Sequence, residues 1–382
     1  MSRKALLWTT LVLGGAYGCA GSPTPQPAPV PALAPEDVAI SLYLIGDAGR
    51  PDPAGEPVLD ALRDDLSSRS TQRVVVYLGD NVYPSGLPAP GQPGRRAAEL
   101  SLTAQVEAIT ATGSRGYFVP GNHDWAKHGV DGWEAIRRQE AFIDSVSGGK
   151  VSLEPGGGCP GPAVVDIGTR LRLVLLDTQW WLHPGPKPRH PTSSCPTDAQ
   201  SEIVDSIRAA LSGASGRMVV VVHHHPLASG GIHGGYFGWR DHLFPLRAFR
   251  PSLWIPLPLL GSLYPTARLR GISIQDLGSR GYQRLIAAFR RGFAAAPPAL
   301  SAAGHEHNLQ VIEGGPARLQ LVSGTGIYGH TGRVVPIRGT LFSRDASGFA
   351  RLDIPRHGPG RLAVMVVDGT GKAQEVFSTW VR

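Results

Sequence analysis

Apolar residues in this chain come in short, near-continuous runs that stop abruptly at polar ones. VAISLYLI precedes Gly46, RVVVYL precedes Gly79, GYFV precedes Pro120 and RMVVVV precedes His223. Runs this short and this rich in β-branched residues predict strands buried on both faces, as in a layered α/β domain. Between them apolar positions recur three and four apart, predicting helices over Glu56–Ser68, Arg95–Thr112, Trp133–Val146 and Asp198–Leu211. Thr197 and Asp198 offer N-caps for the last of these. Further on, GSRGYQRLIAAFRRGF predicts an amphipathic helix with Tyr282, Leu285, Ile286 and Phe289 on one face. Strand then helix, repeated, sets strand C-terminal ends along one sheet edge, where α/β folds assemble their sites.

The polar residues that end the runs are of one chemical kind. Asp47 follows the first run, Asp80 and Tyr83 the second, Asn122, His123 and Asp124 the third, and His223, His224 and His225 the fourth. A further pair, His305 and His307, stands in AAGHEHNLQ. Taken singly, an aspartate after a strand reads as a helix cap, Asn122 as a turn residue and H-x-H as exposed loop histidines. Taken together, Asp47, Asp80, Tyr83, Asn122, His224, His305 and His307 supply carboxylate, phenolate, amide and imidazole donors with no thiolate. That set suits hard or borderline ions such as iron, zinc or manganese. Seven donors exceed one coordination shell, so two ions with a bridging carboxylate are implied.

The chain has 382 residues, 42% of them apolar and 18% charged, as befits a globular body. Its 49 glycines and 34 prolines predict turns and long shaped loops. Formal net charge is +7, and the stretch from Gly234 to Gly292, with nine arginines and two aspartates, carries as much by itself. A basic character confined to one segment argues against a nucleic-acid-binding surface. At the start, MSRK and ALLWTTLVLGGA form the charged and apolar parts of a signal peptide over residues 1–18. AYGC is similar to a bacterial lipoprotein processing site, which implies lipidation of Cys19; the other reading is an ordinary secretory signal with Cys19 incidental. Residues 19–37, rich in proline and alanine, read as an extended tether. The expectation is a protein exported to the bacterial periplasm, outer membrane or cell surface and anchored by lipid. An oxidising compartment permits a disulfide between Cys159 and Cys195, both in loops; two unpaired thiols is the alternative.

In chain order, GDAG, GDNVYPSG, GNHD, HHP and GHEHNLQ resemble the five motifs of calcineurin-like metallophosphoesterases, and most of all those of small purple acid phosphatases of the tartrate-resistant type. The general superfamily opens with D-x-H, where this chain has Asp47-Ala48-Gly49 and gains Tyr83. LLDT, VSGTG and GFARLDI continue the resemblance from Ile40 to the C-terminus. It implies a four-layer α-β-β-α sandwich over residues 38–382, with a dinuclear site on loops at strand C-terminal ends. Carried over, one ion, iron(III), is held by Asp47, Asp80, Tyr83 and His307. A second, divalent iron, zinc or manganese, is held by Asp80, Asn122, His224 and His305. The family's H-x-P spacing implies His224 as the ligand, with His223 and His225 on the opposite face; His223 or His225 as the ligand is the alternative. His123 and His233 become the catalytic histidines, binding substrate together with Asn122. The alternatives are a structural His123 held by Asp124 and a surface-loop His233.

The function implied is an acid phosphatase that hydrolyses small phosphomonoesters by attack of metal-bound hydroxide. A phosphodiesterase or nucleotide hydrolase of the same superfamily, or a surface-anchored binding protein without turnover, are the rival readings. The insertion at about 234–292 is either a cap burying its own apolar residues or a basic patch that touches the membrane or an anionic substrate.

Overall fold

The computed structural model describes residues 28–191, 193–248, 250, 252–258 and 260–382. The signal peptide, Cys19 and the tether up to residue 27 lie outside the described residues. The chain forms two seven-stranded mixed sheets. In spatial order the first is β14 (Ala373–Val381), β13 (Gly360–Val367), β12 (Gly348–Pro355), β1 (Val38–Ile45), β2 (Gln72–Tyr77), β3 (Arg115–Phe118) and β4 (Val151–Leu153). The second is β11 (Thr340–Arg344), β9 (Leu309–Glu313), β10 (Leu319–Ser323), β8 (Leu300–Ala303), β7 (Met218–Val222), β6 (Leu171–Leu175) and β5 (Ala163–Ile167).

Strands β1 to β4 pair in parallel, as do β6, β7, β8 and β10. The apolar runs follow from this arrangement, because a strand between two layers buries both faces. Ile40, Leu42 and Leu44 of β1 join Val74 and Val76 of β2 and Val220 and Val222 of β7 in the core between the sheets. The alternate residues Tyr43, Ile45, Val75, Tyr77 and Val221 pack outward under helices.

The predicted helices form with small shifts at their ends: α1 (Pro57–Ser67), α2 (Arg95–Thr110), α3 (Gly132–Ser147) and α5 (Gln200–Ser212), with a short α4 (Thr178–Leu182) between the last two. The N-cap of α5 is Ala199 rather than Thr197 or Asp198. Thr197 Oγ1 donates instead to the Gly161 carbonyl at 2.6 Å, and Glu202 accepts from the backbone amides of Asp198 and Ala199 at 3.3 Å each. A competing partner across the fold thus takes the cap hydroxyl.

After β7 come two short helices, α6 (Trp239–Leu243) and α7 (Leu263–Leu269), and then α8 (Arg280–Phe293). Helix α8 is capped by Ser279, whose hydroxyl accepts from Tyr282 N. Its apolar face carries Tyr282, Leu285, Ile286 and Phe289, all buried, and it lies beside α5 on the second sheet. Cys159 and Cys195 are joined in a disulfide. Among the described residues no helix is long and apolar enough to cross a membrane.

Phe289 is fully buried against His223, ring centroids 5.1 Å apart, and against Phe293 at 5.5 Å. Phe289→Ala should lower unfolding free energy by about 3–5 kcal/mol, read as an earlier denaturant midpoint at unchanged slope. A loss below about 1 kcal/mol would mean that α8 does not cover the second sheet.

Candidate metal centre

The C-terminal ends of β1, β2 and β3 in one sheet, and of β7 and β8 in the other, open onto a common seam. The chain turns sharply as it leaves three of these strands: Asp47, Asp80 and His305 have φ of 57°, 55° and 70°. Left-handed backbone at non-glycine residues costs energy and persists where surrounding structure imposes it. Here Asp47 N donates to Gly79 O at 2.9 Å, and His305 N donates to Asp47 Oδ2 at 2.8 Å. The two sheets are therefore tied to each other at the seam itself. Glycine is needed close by, since a Cβ on Gly304 would lie 2.6 Å from Asp47 Oδ2.

Two clusters of donor atoms result. In the first, Tyr83 Oη lies 3.0 Å from Asp47 Oδ1, 3.3 Å from Asp80 Oδ2 and 3.2 Å from His307 Nε2. His307 Nε2 is 3.4 Å from Asp47 Oδ1. In the second, Asn122 Oδ1 lies 3.1 Å from His224 Nε2 and 3.0 Å from His305 Nδ1. The two imidazole nitrogens are 3.3 Å apart, and His224 Nε2 is 3.5 Å from the same Asp80 Oδ2. Around an ion ~2.0–2.2 Å from its ligands, neighbouring donors sit roughly 2.8–3.6 Å apart, so both clusters have the spacing of a coordination shell. All seven candidate ligands are brought together, and one carboxylate oxygen belongs to both groups.

Electrostatics point the same way. Asp47 and Asp80 are almost fully buried. Burial works against the charge of Asp80, yet His224 and His123 hold its carboxyl well below the ordinary range. Burial alone would depress the His224 imidazole, but Asp80, with Asp47 behind it, more than reverses this and raises it to about 9. Burial, then Asp47 and Asp80, push the Tyr83 phenol well above its usual value. The pocket thus calls for positive charge, and its donor set suits metal cations.

The remaining nitrogens are fixed by neighbours. His224 Nδ1 donates to Leu78 O at 2.8 Å, and His305 Nε2 to Gln275 O at 3.3 Å, which turns the other nitrogen of each ring inward. His223 points outward to Ser301 Oγ at 2.7 Å, the face expected for it. His225 departs from the expectation that it leaves the site. Its ring lies 4.6 Å from that of His305, with Nδ1 at 2.8 Å from Thr178 Oγ1 and Nε2 donating to Gln275 Oε1 at 2.6 Å. A loop rather than a strand follows Val222, so simple alternation no longer applies there. With both nitrogens engaged, His225 supports the ligand rings.

Asp124 does not hold His123. It accepts from the amides of Gly121, Asn81 and Val82 and from the Asn81 side chain at 2.7 to 3.0 Å, stitching the β2 loop to the β3 loop. His123 donates through Nδ1 to Pro84 O at 2.6 Å, while its backbone amide donates to Asp80 Oδ1 at 2.8 Å. His233 stacks on His305 with centroids 4.2 Å apart. Its Nδ1 faces Asp276 at 3.5 Å and Arg268 at 3.1 Å. His123, His233 and His307 keep side-chain exposures of 18%, 21% and 27%, and so mark the open side of the centre.

Several residues that complete the centre were not anticipated. Glu306 is buried and accepts from Ser229 Oγ and from the amides of His233 and Gly234, fixing the His233 loop. Its place between the two histidines was the available signal. Asp276 and Arg268 were signalled only by an aspartate standing in an arginine-rich segment. His330, 4.0 Å from His307 by ring centroids, had no signal at all.

The calcineurin-like phosphoesterase family matches residues 40–255. No curated protein matches the chain. Among solved structures, the GAP50 anchor of the Plasmodium inner membrane complex is similar at 13% identity, covering 90% of this chain and 89% of that one, with a TM-score of 0.51. PhoD is similar at 11% identity, covering 94% and 73%, with a TM-score of 0.54. A purple acid phosphatase from yellow lupin (Lupinus luteus) seeds is 15% identical over 88% and 53%, with a TM-score of 0.48. At these identities the likenesses to the GAP50 anchor and to PhoD concern the fold alone.

Asp124→Asn puts an amide group against backbone N–H donors, and should cost about 2–3 kcal/mol in denaturant unfolding. An unchanged midpoint would show that the two loops are not held through this carboxylate.

Proposed function

Since the chain belongs to the calcineurin-like phosphoesterase family, we propose that it is a two-metal acid phosphatase acting on phosphomonoesters. One ion is assigned to Asp47, Asp80, Tyr83 and His307, and the other to Asp80, Asn122, His224 and His305. The observation that carries this reading is the sharing of Asp80 Oδ2 between two donor clusters of coordination-shell spacing. When bound, the two ions supply Lewis-acid polarisation of the phosphoryl group and acidify water. A phenolate and two carboxylates at the first position favour a trivalent cation, hence iron(III). Two imidazoles and an amide at the second suit divalent iron, zinc or manganese.

The chain's own groups do the rest. His123 faces the open side of the centre, Asn122 lies buried next to it, and both are assigned to phosphate oxygens, where fixed donors stabilise charge that develops on phosphorus–oxygen bonds. His123 is held for this by its bond to Pro84 O. His233, with Nδ1 turned to Asp276 and Arg268, is assigned to the leaving oxygen through Nε2 and delivers a proton there. The Cys159–Cys195 disulfide supports export to an oxidising compartment, in keeping with anchoring at Cys19.

Replacing a partner one step removed from a metal costs 10–100-fold, so Asp80→Asn, which touches both ions, should lower kcat/KM for an aryl phosphate by more than ~100-fold. The loss should exceed that from any ligand serving one ion. Tyr83→Phe should bleach a visible phenolate-to-iron band in a protein that still folds. A colourless, iron-free, fully active wild type would contradict iron(III) at Tyr83, and hydrolysis of aryl phosphodiesters in preference to monoesters would contradict the phosphomonoesterase assignment.

A further inference from the structure

The stretch 236–274 between β7 and α8 has an unusual surface. Of the fourteen exposed large apolar side chains among the described residues, nine lie here. Trp239, Trp254, Leu260, Leu263, Leu269 and Ile272 are 52% to 72% exposed. Elsewhere such residues stand singly, as on ordinary soluble surfaces; a concentration like this marks an interaction site. The cap is a small packed unit rather than a loose loop. Helices α6 and α7 touch, Phe237 packs on Tyr264 at 5.8 Å and Phe244 on Trp254 at 5.3 Å.

Charge distinguishes the kind of partner. Arg240, Arg250 and Arg270 are exposed within the stretch, and Arg280 and Arg284 directly after it. The stretch holds a single acid, Asp241, against five arginines; Asp241 accepts from Gly238 N at 2.8 Å, and Asp276 just after the stretch pairs with Arg268 at 2.7 Å. The outward charge is therefore positive. Guanidinium groups lie over the indoles, Arg240 at 5.4 Å from Trp239 and Arg247 at 3.8 Å from Trp254. Exposed leucine and isoleucine with tryptophan, flanked by arginines that outnumber the one acid, is the composition of a surface seated at the boundary between acyl chains and anionic headgroups.

We infer that the 236–274 cap is a docking surface for an anionic lipid bilayer. Because Asp276 and Arg268 hold His233, and Leu277 N donates to His233 O at 2.9 Å, docking sets the His233 side of the metal centre toward the headgroup plane. That consequence rests on the phosphatase reading; the docking does not.

The test uses the full chain carrying Cys19→Ser, so that no acyl chain can attach there, in sedimentation with large vesicles. One set contains phosphatidylglycerol in phosphatidylcholine and the other phosphatidylcholine alone. Binding to the anionic vesicles should be stronger and should fall with salt. Trp239→Ser with Leu263→Ser and Ile272→Ser should weaken it at least ~10-fold, and each arginine neutralised by Arg240→Gln or Arg270→Gln about fivefold. Val130→Ser, an exposed apolar position outside the cap, is the control and should change nothing. Near-UV circular dichroism establishes that each variant is folded. Equal binding by folded wild type and cap variants overturns the inference. So does a vesicle-free oligomer that the same serine substitutions convert to monomer, which would make the cap an interface between copies of the chain.

Discussion

Two carboxylates, Asp47 and Asp80, are buried where the two sheets meet, with the half-buried phenol of Tyr83 against both, and that concentration of negative charge governs the rest of the site. Asp47 and Asp80 stand within hydrogen-bond distance of one phenol oxygen. Such a group is stable in a low-dielectric interior only against compensating positive charge. Two of the neighbouring imidazoles, His224 most clearly and His307 beside Asp47, are drawn toward protonation for this reason, while burial keeps His305 neutral. Two cations would satisfy the same demand and leave every imidazole neutral and ligating. The strained backbone at Asp47, Asp80 and His305 and the amide cradle around Asp124 hold the charged groups at the seam against their mutual repulsion.

The architecture makes this possible without a dedicated loop scaffold. Parallel strands of both sheets finish at one seam, so five short turns, each anchored by a buried strand, place one or two donors apiece. Because β1 and β8 are tied across the sheets by the bond from His305 N to Asp47 Oδ2, the position of one ligand fixes that of another 258 residues away.

Much of this was legible in the sequence, for local reasons. The runs VAISLYLI and RVVVYL announce strands buried on both faces, and each ligand lies within a few residues of the run that positions it. The helices were placed closely because their apolar spacing is local too. What escaped depends on partners distant in sequence. Thr197 surrenders its cap role to Gly161, and His225 stays beside His305 because Thr178 and Gln275 grip both its nitrogens. Gln275, Asp276 and Arg268 come from an arginine- and proline-rich segment whose pattern signals no regular element, yet they orient the ligand His305 and the assigned acid His233. The nine exposed apolar side chains of the cap were present as letters, but their exposure became visible only once the fold had buried the others.

The central claim is that two ions share Asp80. Anomalous diffraction from crystals of the protein purified without chelator tests it most directly. The account predicts two peaks roughly 3.5–4 Å apart, as in other paired-metal hydrolytic sites, one bounded by Asp47, Tyr83 and His307 and the other by Asn122, His224 and His305, with Asp80 between them. A single peak, or metal bound away from Asp80, would contradict it.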